Sequence, residues 1–222
     1  MPEYYLTVAL RSDTTFGRGE GLAGLVDVEI EHDEDGWPFI GGRALKGLLV
    51  EEWANLRFAL GEDTLWDDEA THLFGTSGAA LGKGAAQMHV GSATLPLDLR
   101  AAVTHAKKKT APAEVLASLT TIRKQTSIQS ETGAPEEGSL RAMRVLLRGT
   151  PLIARLDFPS APNDRALALL AACVLAVRRG GTARNRGRGR LSLLLHNQIP
   201  ADYSDATFTQ TYFGHFATEV RA

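Results

Sequence analysis

Asp33-Glu34-Asp35-Gly36-Trp37-Pro38-Phe39-Ile40-Gly41-Gly42-Arg43-Ala44-Leu45-Lys46-Gly47-Leu48 is the stretch in which the periodicity of the chain changes. Before it, Val26, Val28 and Ile30 alternate with Asp27, Glu29 and Glu31, the two-residue period of a short strand with one acidic face. The turn formers Asp33-Glu34-Asp35-Gly36 end that strand. Beyond it, Leu45, Leu48, Leu49, Trp53, Leu56 and Leu60 recur at three- and four-residue steps, which predicts an amphipathic helix from Arg43 that closes near Gly61. Gly41 and Gly42 let the backbone approach a ligand closely where that helix begins, and a helix N-terminus favours phosphate. Arg43 and Lys46, three residues apart, share the face beside it. On these residues alone, a glycine turn ahead of an ordinary surface helix accounts for the segment at least as well.

Outward from this stretch the pattern is strand-rich. Residues 4–11 place Tyr4, Leu6, Val8 and Leu10 on one face of a first strand, and a loop with Gly17, Gly19, Gly21 and Gly24 follows. Residues 86–95 read as a strand and 113–124 as a helix. Over 126–148, Gly133, Pro135 and Gly138 cluster as turn formers between two β-compatible arms, so a β-hairpin excursion is predicted. Leu152, Ala154, Leu156 and Phe158 alternate as a further strand. Asn163 or Asp164 can cap a helix over 165–177 that is apolar nearly all round, hence buried, and Leu191, Leu193 and Leu195 form a last strand. The order strand, helix, strand, strand, helix, strand is the plan of an α+β, ferredoxin-like (RRM-like) split βαβ core in a single domain over 1–222. In the tail, 201–222, Phe208, Tyr212, Phe213 and Phe216 stand at helical spacing, suited to packing on the core or on a neighbouring subunit.

Bulk properties narrow the functions available. A chain of 222 residues, 44% hydrophobic and 23% charged, can bury roughly 70% of its unfolded surface around one core. Its single cysteine, Cys173, lies in an apolar run, which excludes a disulfide and a cysteine zinc site and predicts a core thiol. No basic region followed by an apolar stretch opens the sequence, and no run approaches the ~18 apolar residues of a membrane span, so a cytoplasmic protein without a membrane partner is expected. The net charge of -2 argues against attraction of nucleic acid to the whole surface. The charges are segregated, however. Acidic residues crowd into Asp27, Glu29, Glu31, Asp33, Glu34 and Asp35 and again into Glu62, Asp63, Asp67, Asp68 and Glu69, while Lys107-Lys108-Lys109 and Arg123-Lys124 are basic.

The strongest basic feature is Arg178-Arg179-Gly180-Gly181-Thr182-Ala183-Arg184-Asn185-Arg186-Gly187-Arg188-Gly189-Arg190. Six arginines among four glycines put many guanidinium donors on a flexible backbone, which suits a row of phosphates better than one small ligand. Within it, Arg184 to Gly189 also fits the R-x-x-G-x-G pyrophosphate loop of acyl-CoA N-acetyltransferases. In that family the loop follows a strand and opens a helix, whereas here it follows a helix and enters a strand. Residues 78–84, Gly-Ala-Ala-Leu-Gly-Lys-Gly, fail as a nucleotide P-loop, being one residue short and lacking Ser or Thr after the lysine.

Taken in order, the two segments resemble the RAMP superfamily. Phe39 to Gly47 is similar to that family's "I-P-G-S-S-L-K-G" segment, and Gly180 to Arg190 to its C-terminal glycine-rich loop. Between them, Thr126 to Ala134, then Gly138-Ser139-Leu140-Arg141 and Gly149-Thr150-Pro151-Leu152, resemble its thumb hairpin and the strand after it. The departures are Gly41 in place of the usual proline, Val50 where a basic residue is common and Gln129 where an arginine often stands.

The resemblance implies the repeated backbone subunit of a type III CRISPR effector complex. Such a subunit has guide CRISPR RNA, target single-stranded RNA and other effector subunits, including copies of itself or paralogous RAMP subunits, as partners. It implies RNA contacts from Arg43, Lys46, Arg123, Lys124, Arg141, Arg184, Arg186, Arg188 and Arg190, with Leu140 or Met143 as the apolar wedge of the thumb. It further implies cleavage of target RNA at an aspartate before the glycine segment. Asp27 in Gly24-Leu25-Val26-Asp27 fits best and Asp33 next. A carboxylate there can hold a divalent metal, Mg or Mn, or orient the target's 2'-hydroxyl. Asp27, Glu29 and Glu31 as the plain polar face of a strand remain the alternative. A scaffold that binds guide without cutting, and a guide-maturing endoribonuclease built on histidine chemistry, are the other readings. His32, His72, His89, His105, His196 and His215 are scattered through the sequence without a recognisable pairing.

Overall fold

A computed structural model describes residues 3–61, 65–76, 78, 84–106 and 110–221. Glu62 and Asp63, Lys107-Lys108-Lys109, and residues 79–83 of the rejected P-loop lie outside the described residues.

The fold is α+β. Its main sheet is four-stranded and wholly antiparallel, in the order β2-β5-β1-β6, formed by β1 (Tyr4–Leu10), β2 (His89–Val90), β5 (Pro151–Asp157) and β6 (Leu191–His196). β1 is central. Val8 lies between Leu152 and Leu193, and Leu6 between Ala154 and Leu195, so the alternation read from the sequence places one leucine-rich face over the helices. α1 (Gly42–Leu60) turns Leu45, Leu48 and Leu49 inward, and Gly61 ends it with φ 95°. α5 (Asp164–Ala176) is capped by Asn163, whose side chain accepts from the Ala166 N–H at 2.7 Å, and is buried from Ala166 to Val174. That burial follows from its position, since the sheet, α1, α2 (Asp67–Phe74) and α6 (Thr207–Arg221) all pack on it. Cys173 is part of this core, and burial pushes its thiol pKa up. α6 anchors the tail on its own core, burying Phe216. No helix among the described residues is long and apolar enough to cross a membrane.

A second sheet is the antiparallel hairpin of β3 (Thr120–Gln125) and β4 (Arg141–Leu146), with 126–140 as its exposed tip. The helix expected over 113–124 is therefore corrected. α4 (Pro112–Leu119) stops at the β-branched run Thr120-Thr121-Ile122, which pairs with β4 instead. The strand expected over 86–95 shrinks to β2, because Gly91 breaks it, and Ala93 and Thr94 make separate bridges to Ile40 and Ile153. Residues 26–30 do not form a regular strand either; they make isolated bridges, including Val28 to Met143. α2 and α3 (Leu97–Ala106) were not anticipated.

Candidate nucleic-acid interface

Three segments converge at the start of α1. The arginine-glycine loop is pinched shut by the Gly180 N–H donating to the Gly189 carbonyl (2.9 Å) and by the Leu191 N–H donating to that of Arg178 (3.1 Å). Its two arms rest on residues 13–15, with the Thr182 N–H donating to Thr15 O and the Gly189 N–H to Asp13 O. Gly189, at φ 69°, must be glycine, since a Cβ there would lie 2.2 Å from the Gly180 carbonyl. Gly42 is fixed likewise by the Val90 carbonyl, which presses the first turn of α1 against β2. Between the loop and this turn opens a cleft of about 720 Å³ lined by Thr15, Gly17, Gly42, Arg43, Ser92 and Thr182. The loop enters β6 rather than opening a helix, against the acetyltransferase arrangement.

Gly41, the departure from the family proline, also borders the cleft. Any Cβ at position 41 would lie 2.7 Å from Glu31 Oε2, so the carboxylate of Glu31 occupies the space that a proline ring would need.

The basic residues fall into two groups. Arg43 and Arg186 are exposed and Lys46 half-buried, each without an ion pair among the described residues; the same holds for Arg141, Lys124 and Arg190 at the surface. Arg184 is instead clamped by Glu51 of α1 through two hydrogen bonds of 2.8 and 2.7 Å, which hold Glu51 below the usual carboxylate range. Arg123 is held by Asp13 Oδ2 at 2.8 Å. Arg188 leans its guanidinium on the sulfur of Met143. That arrangement corrects the wedge assignment, because Met143 points inward from β4 and is only 3% exposed, whereas Leu140 at the end of the hairpin tip is 62% exposed.

Asp27 is exposed and docks on β4. Its N–H donates to the Ala142 carbonyl (2.8 Å), and its Oδ2 accepts from the Ala142 N–H (2.6 Å). Lys124 stands across β3–β4 from Ala142, and Arg188 touches the next residue, Met143. The second oxygen of Asp27, Oδ1, has no hydrogen bond among the described residues. Asp33 is differently employed. Oδ1 accepts from the N–H groups of Asp35 and Trp37, and Oδ2 from Arg100 at 3.0 Å, which ties the turn together. No group of three His, Cys, Asp or Glu side chains that could hold a metal occurs among the described residues. One free carboxylate oxygen does suit a magnesium ion that takes its other ligands from water and RNA phosphates.

Two residues of this region escaped the sequence reading. Glu29, assigned to a polar face, is buried and paired with Arg144 of β4 at 2.8 Å, with side-chain exposures of 3% and 11%. Arg144 also donates to Thr120 Oγ1, and its backbone N–H to the Val28 carbonyl (3.0 Å). Among the histidines, His196 is buried, with Nε2 3.1 Å from Thr7 Oγ1.

The sequence model of the RAMP superfamily matches residues 7–192. This chain belongs to the RAMP superfamily. The matched span opens within β1 and closes within β6, so α6 lies beyond it. Among curated proteins none matches. Solved structures with a similar fold include a chain of the type III-B Cmr-beta complex bound to cognate target RNA, at 14% identity and TM-score 0.61, covering 87% of this RAMP protein and 96% of that chain. The apo Cmr-beta complex gives 13% identity and TM-score 0.61 with the same coverage. A chain of a type IV-B CRISPR complex gives 13% identity and TM-score 0.55, covering 93% of this chain and 96% of that one. At such identities the likeness is one of fold.

Proposed function

We propose that the chain is a guide-RNA-binding backbone subunit of a type III CRISPR effector complex, assembled with copies of itself or paralogous RAMP subunits and with guide CRISPR RNA and target RNA. The observation that carries this reading is the cleft in which the arginine-glycine loop, the α1 N-terminus and Arg43 meet in a RAMP chain. Strand order β6-β1-β5-β2 with α1 and α5 as crossovers supports a ferredoxin-like core, and the β3–β4 hairpin is the candidate thumb, with Leu140 as its wedge. Guide phosphates take Arg43, Lys46, Arg184, Arg186, Arg188 and Arg190, while Arg123, Lys124 and Arg141 lie along the hairpin.

In the same proposal Asp27 is the catalytic group for target cleavage. Its free Oδ1 accepts the proton of a target 2'-hydroxyl as that oxygen bonds to the neighbouring phosphorus, the bond from phosphorus to the 5'-oxygen breaks, and the departing oxygen takes a proton from water. In the other form of this role, Asp27 would instead hold a Mg or Mn ion through that oxygen, which when bound would neutralise charge at the phosphate. Asp33 serves this role less well, because both its oxygens are already taken. The non-cutting scaffold is the second reading, favoured by the Ala142 N–H that occupies Asp27 Oδ2 and by the want of further carboxylate ligands among the described residues.

The test is the salt dependence of single-stranded RNA binding. Replacing Arg184, Arg186 and Arg188 by alanine should weaken binding and flatten the slope of log K against log salt by about 0.7 for each phosphate that is no longer neutralised. Glu51→Gln should steepen it. Unchanged slopes in both variants would remove the loop from the interface.

A further inference from the structure

On the far side of the arginine-glycine loop lies a second, larger cleft of about 1100 Å³, which runs along β6, an edge strand of the main sheet. In an antiparallel strand the N–H and C=O of one residue point the same way, and the direction alternates. Leu195 fixes the phase, since its outward N–H donates to Thr209 Oγ1 and its C=O accepts the Thr209 hydroxyl, both at 2.8 Å. At the other end the outward N–H of Leu191 is taken by the Arg178 carbonyl. Between these stops, the C=O of Leu191 and both groups of Leu193 face the cleft, with no hydrogen-bond partner among the described residues.

Three main-chain groups left open across 191–193, and closed on either side, can bond an added stretch of about three residues, the shortest strand. The surroundings give the chemistry of that strand. Leu175, Val177, Leu194 and Ala206 make the cleft's walls apolar. Its rim carries Arg11, Arg178, Arg179 and Arg190, all exposed and none in an ion pair among the described residues. The rim's one acid, Asp202, accepts the N–H and hydroxyl of Ser204 at Oδ1 and is outnumbered by the four arginines. RNA would find a charged rim here, but its bases would meet leucine and valine rather than open aromatic rings; the single aromatic residue, Tyr203, is half-buried. A peptide satisfies all three features at once, through main-chain bonds to Leu191 and Leu193, alternate apolar side chains on the walls and carboxylates on the arginines.

We propose that the β6 edge is a docking slot for a short, extended, acidic segment of a partner protein, bound by strand addition. The slot opens apart from the guide-RNA cleft, shares only Arg190 with that assignment, and is tested with variants that leave Arg190 in place. The test uses the full chain, a fluorescein-labelled heptapeptide alternating Asp or Glu with Val, its Lys-for-acid counterpart, and a 12-nucleotide single-stranded RNA.

The acidic peptide should bind and shift the Leu193 amide resonance, and the lysine peptide should not bind. N-methylation of alternate peptide bonds in the register that faces Leu193 should abolish binding, whereas methylation in the other register should be tolerated. The triple variant Arg11→Ala, Arg178→Ala, Arg179→Ala should lose about tenfold or more in peptide affinity, the worth of a charge-assisted hydrogen bond. The proposal is overturned if the acidic peptide fails to bind, if both N-methyl series bind alike, or if RNA rather than peptide shifts Leu193 and loses affinity in the triple variant.

Discussion

Removing Glu29 should be among the most damaging single changes outside the main core. Its carboxylate is 3% exposed and meets Arg144 Nε at 2.8 Å, and Arg144 is itself 11% exposed, so Glu29→Ala leaves a cation with almost no water and only Thr120 Oγ1 as a side-chain partner. Breaking a buried pair by taking away one partner costs about 3–5 kcal/mol. The residual exposure of Arg144 admits some water and places the expected loss at the lower end, near 3 kcal/mol. The double replacement Glu29→Met, Arg144→Met removes both charges and keeps the volume, so it should recover most of that loss.

Urea unfolding followed by tryptophan fluorescence gives the free energies, and amide exchange locates the damage, which should appear in 26–29 and 141–146, where Asp27, Val28 and Arg144 share hydrogen bonds with β4. A loss under about 1 kcal/mol for Glu29→Ala, the range of exposed pairs, would refute this reasoning. So would a double variant whose cost equals the sum of the single ones, because the coupling would then be nil.

Three further outcomes are expected. In the assembled complex with guide and matched target, Asp27→Ala should cut target RNA hundreds-fold or more slowly, on the order of the loss seen for positioned acid-base groups, with target binding nearly intact, while Asp33→Ala should mainly loosen the turn at Trp37; an unaltered rate in Asp27→Ala would reassign the site. Gly42→Ala should destabilise by about 1–3 kcal/mol through collision with the Val90 carbonyl, whereas Gly47→Ala, with open space at its Cβ position, should stabilise by about 0.5–1 kcal/mol in thermal melts. Burial lowers the pKa of His196 in the fold, with Asp205 opposing, so the unfolded chain takes up a proton that the folded one resists; stability should hold above the unfolded value of about 6.5 and fall as pH drops below it, and His196→Gln should flatten that decline.

What the sequence disclosed follows from how local each signal is. α1 is legible because its apolar period runs over 19 residues, α5 because a nearly unbroken apolar run follows a capping Asn163, and β1, β5 and β6 because alternation in them is clean. α2 and α3, of 8 and 10 residues, fall below the length at which a helical period stands out, and the acidic residues Asp67, Asp68 and Glu69 read as a charged patch although they suit the first turn of α2. The acidic face of 26–31 misled for a different reason. Glu29 turns inward only because Arg144, 115 residues away, receives it. Met143 stands beside Leu140 as a wedge candidate in the sequence, because nothing local shows the register that sets it opposite Arg123 and against Arg188. Family motifs located the arginine loop, but they carry no trace of which arginines are already engaged.

That engagement changes what kind of ligand the loop rewards. Glu51 on the loop's Arg184 and Asp13 on the hairpin's Arg123 act as built-in counter-ions, so in the proposed role a phosphate reaching either would exchange one anion for another instead of meeting a bare charge. Each exchange is nearly balanced, so a lone phosphate or a stray mononucleotide gains little. A continuous strand, which presents several phosphates at once and also meets the unpaired Arg43 and Arg186, gains by accumulation. If the loop takes guide phosphates as proposed, it would act as an ion exchanger with a length threshold, and a chain of net charge -2 would hold a long polyanion firmly while ignoring short ones.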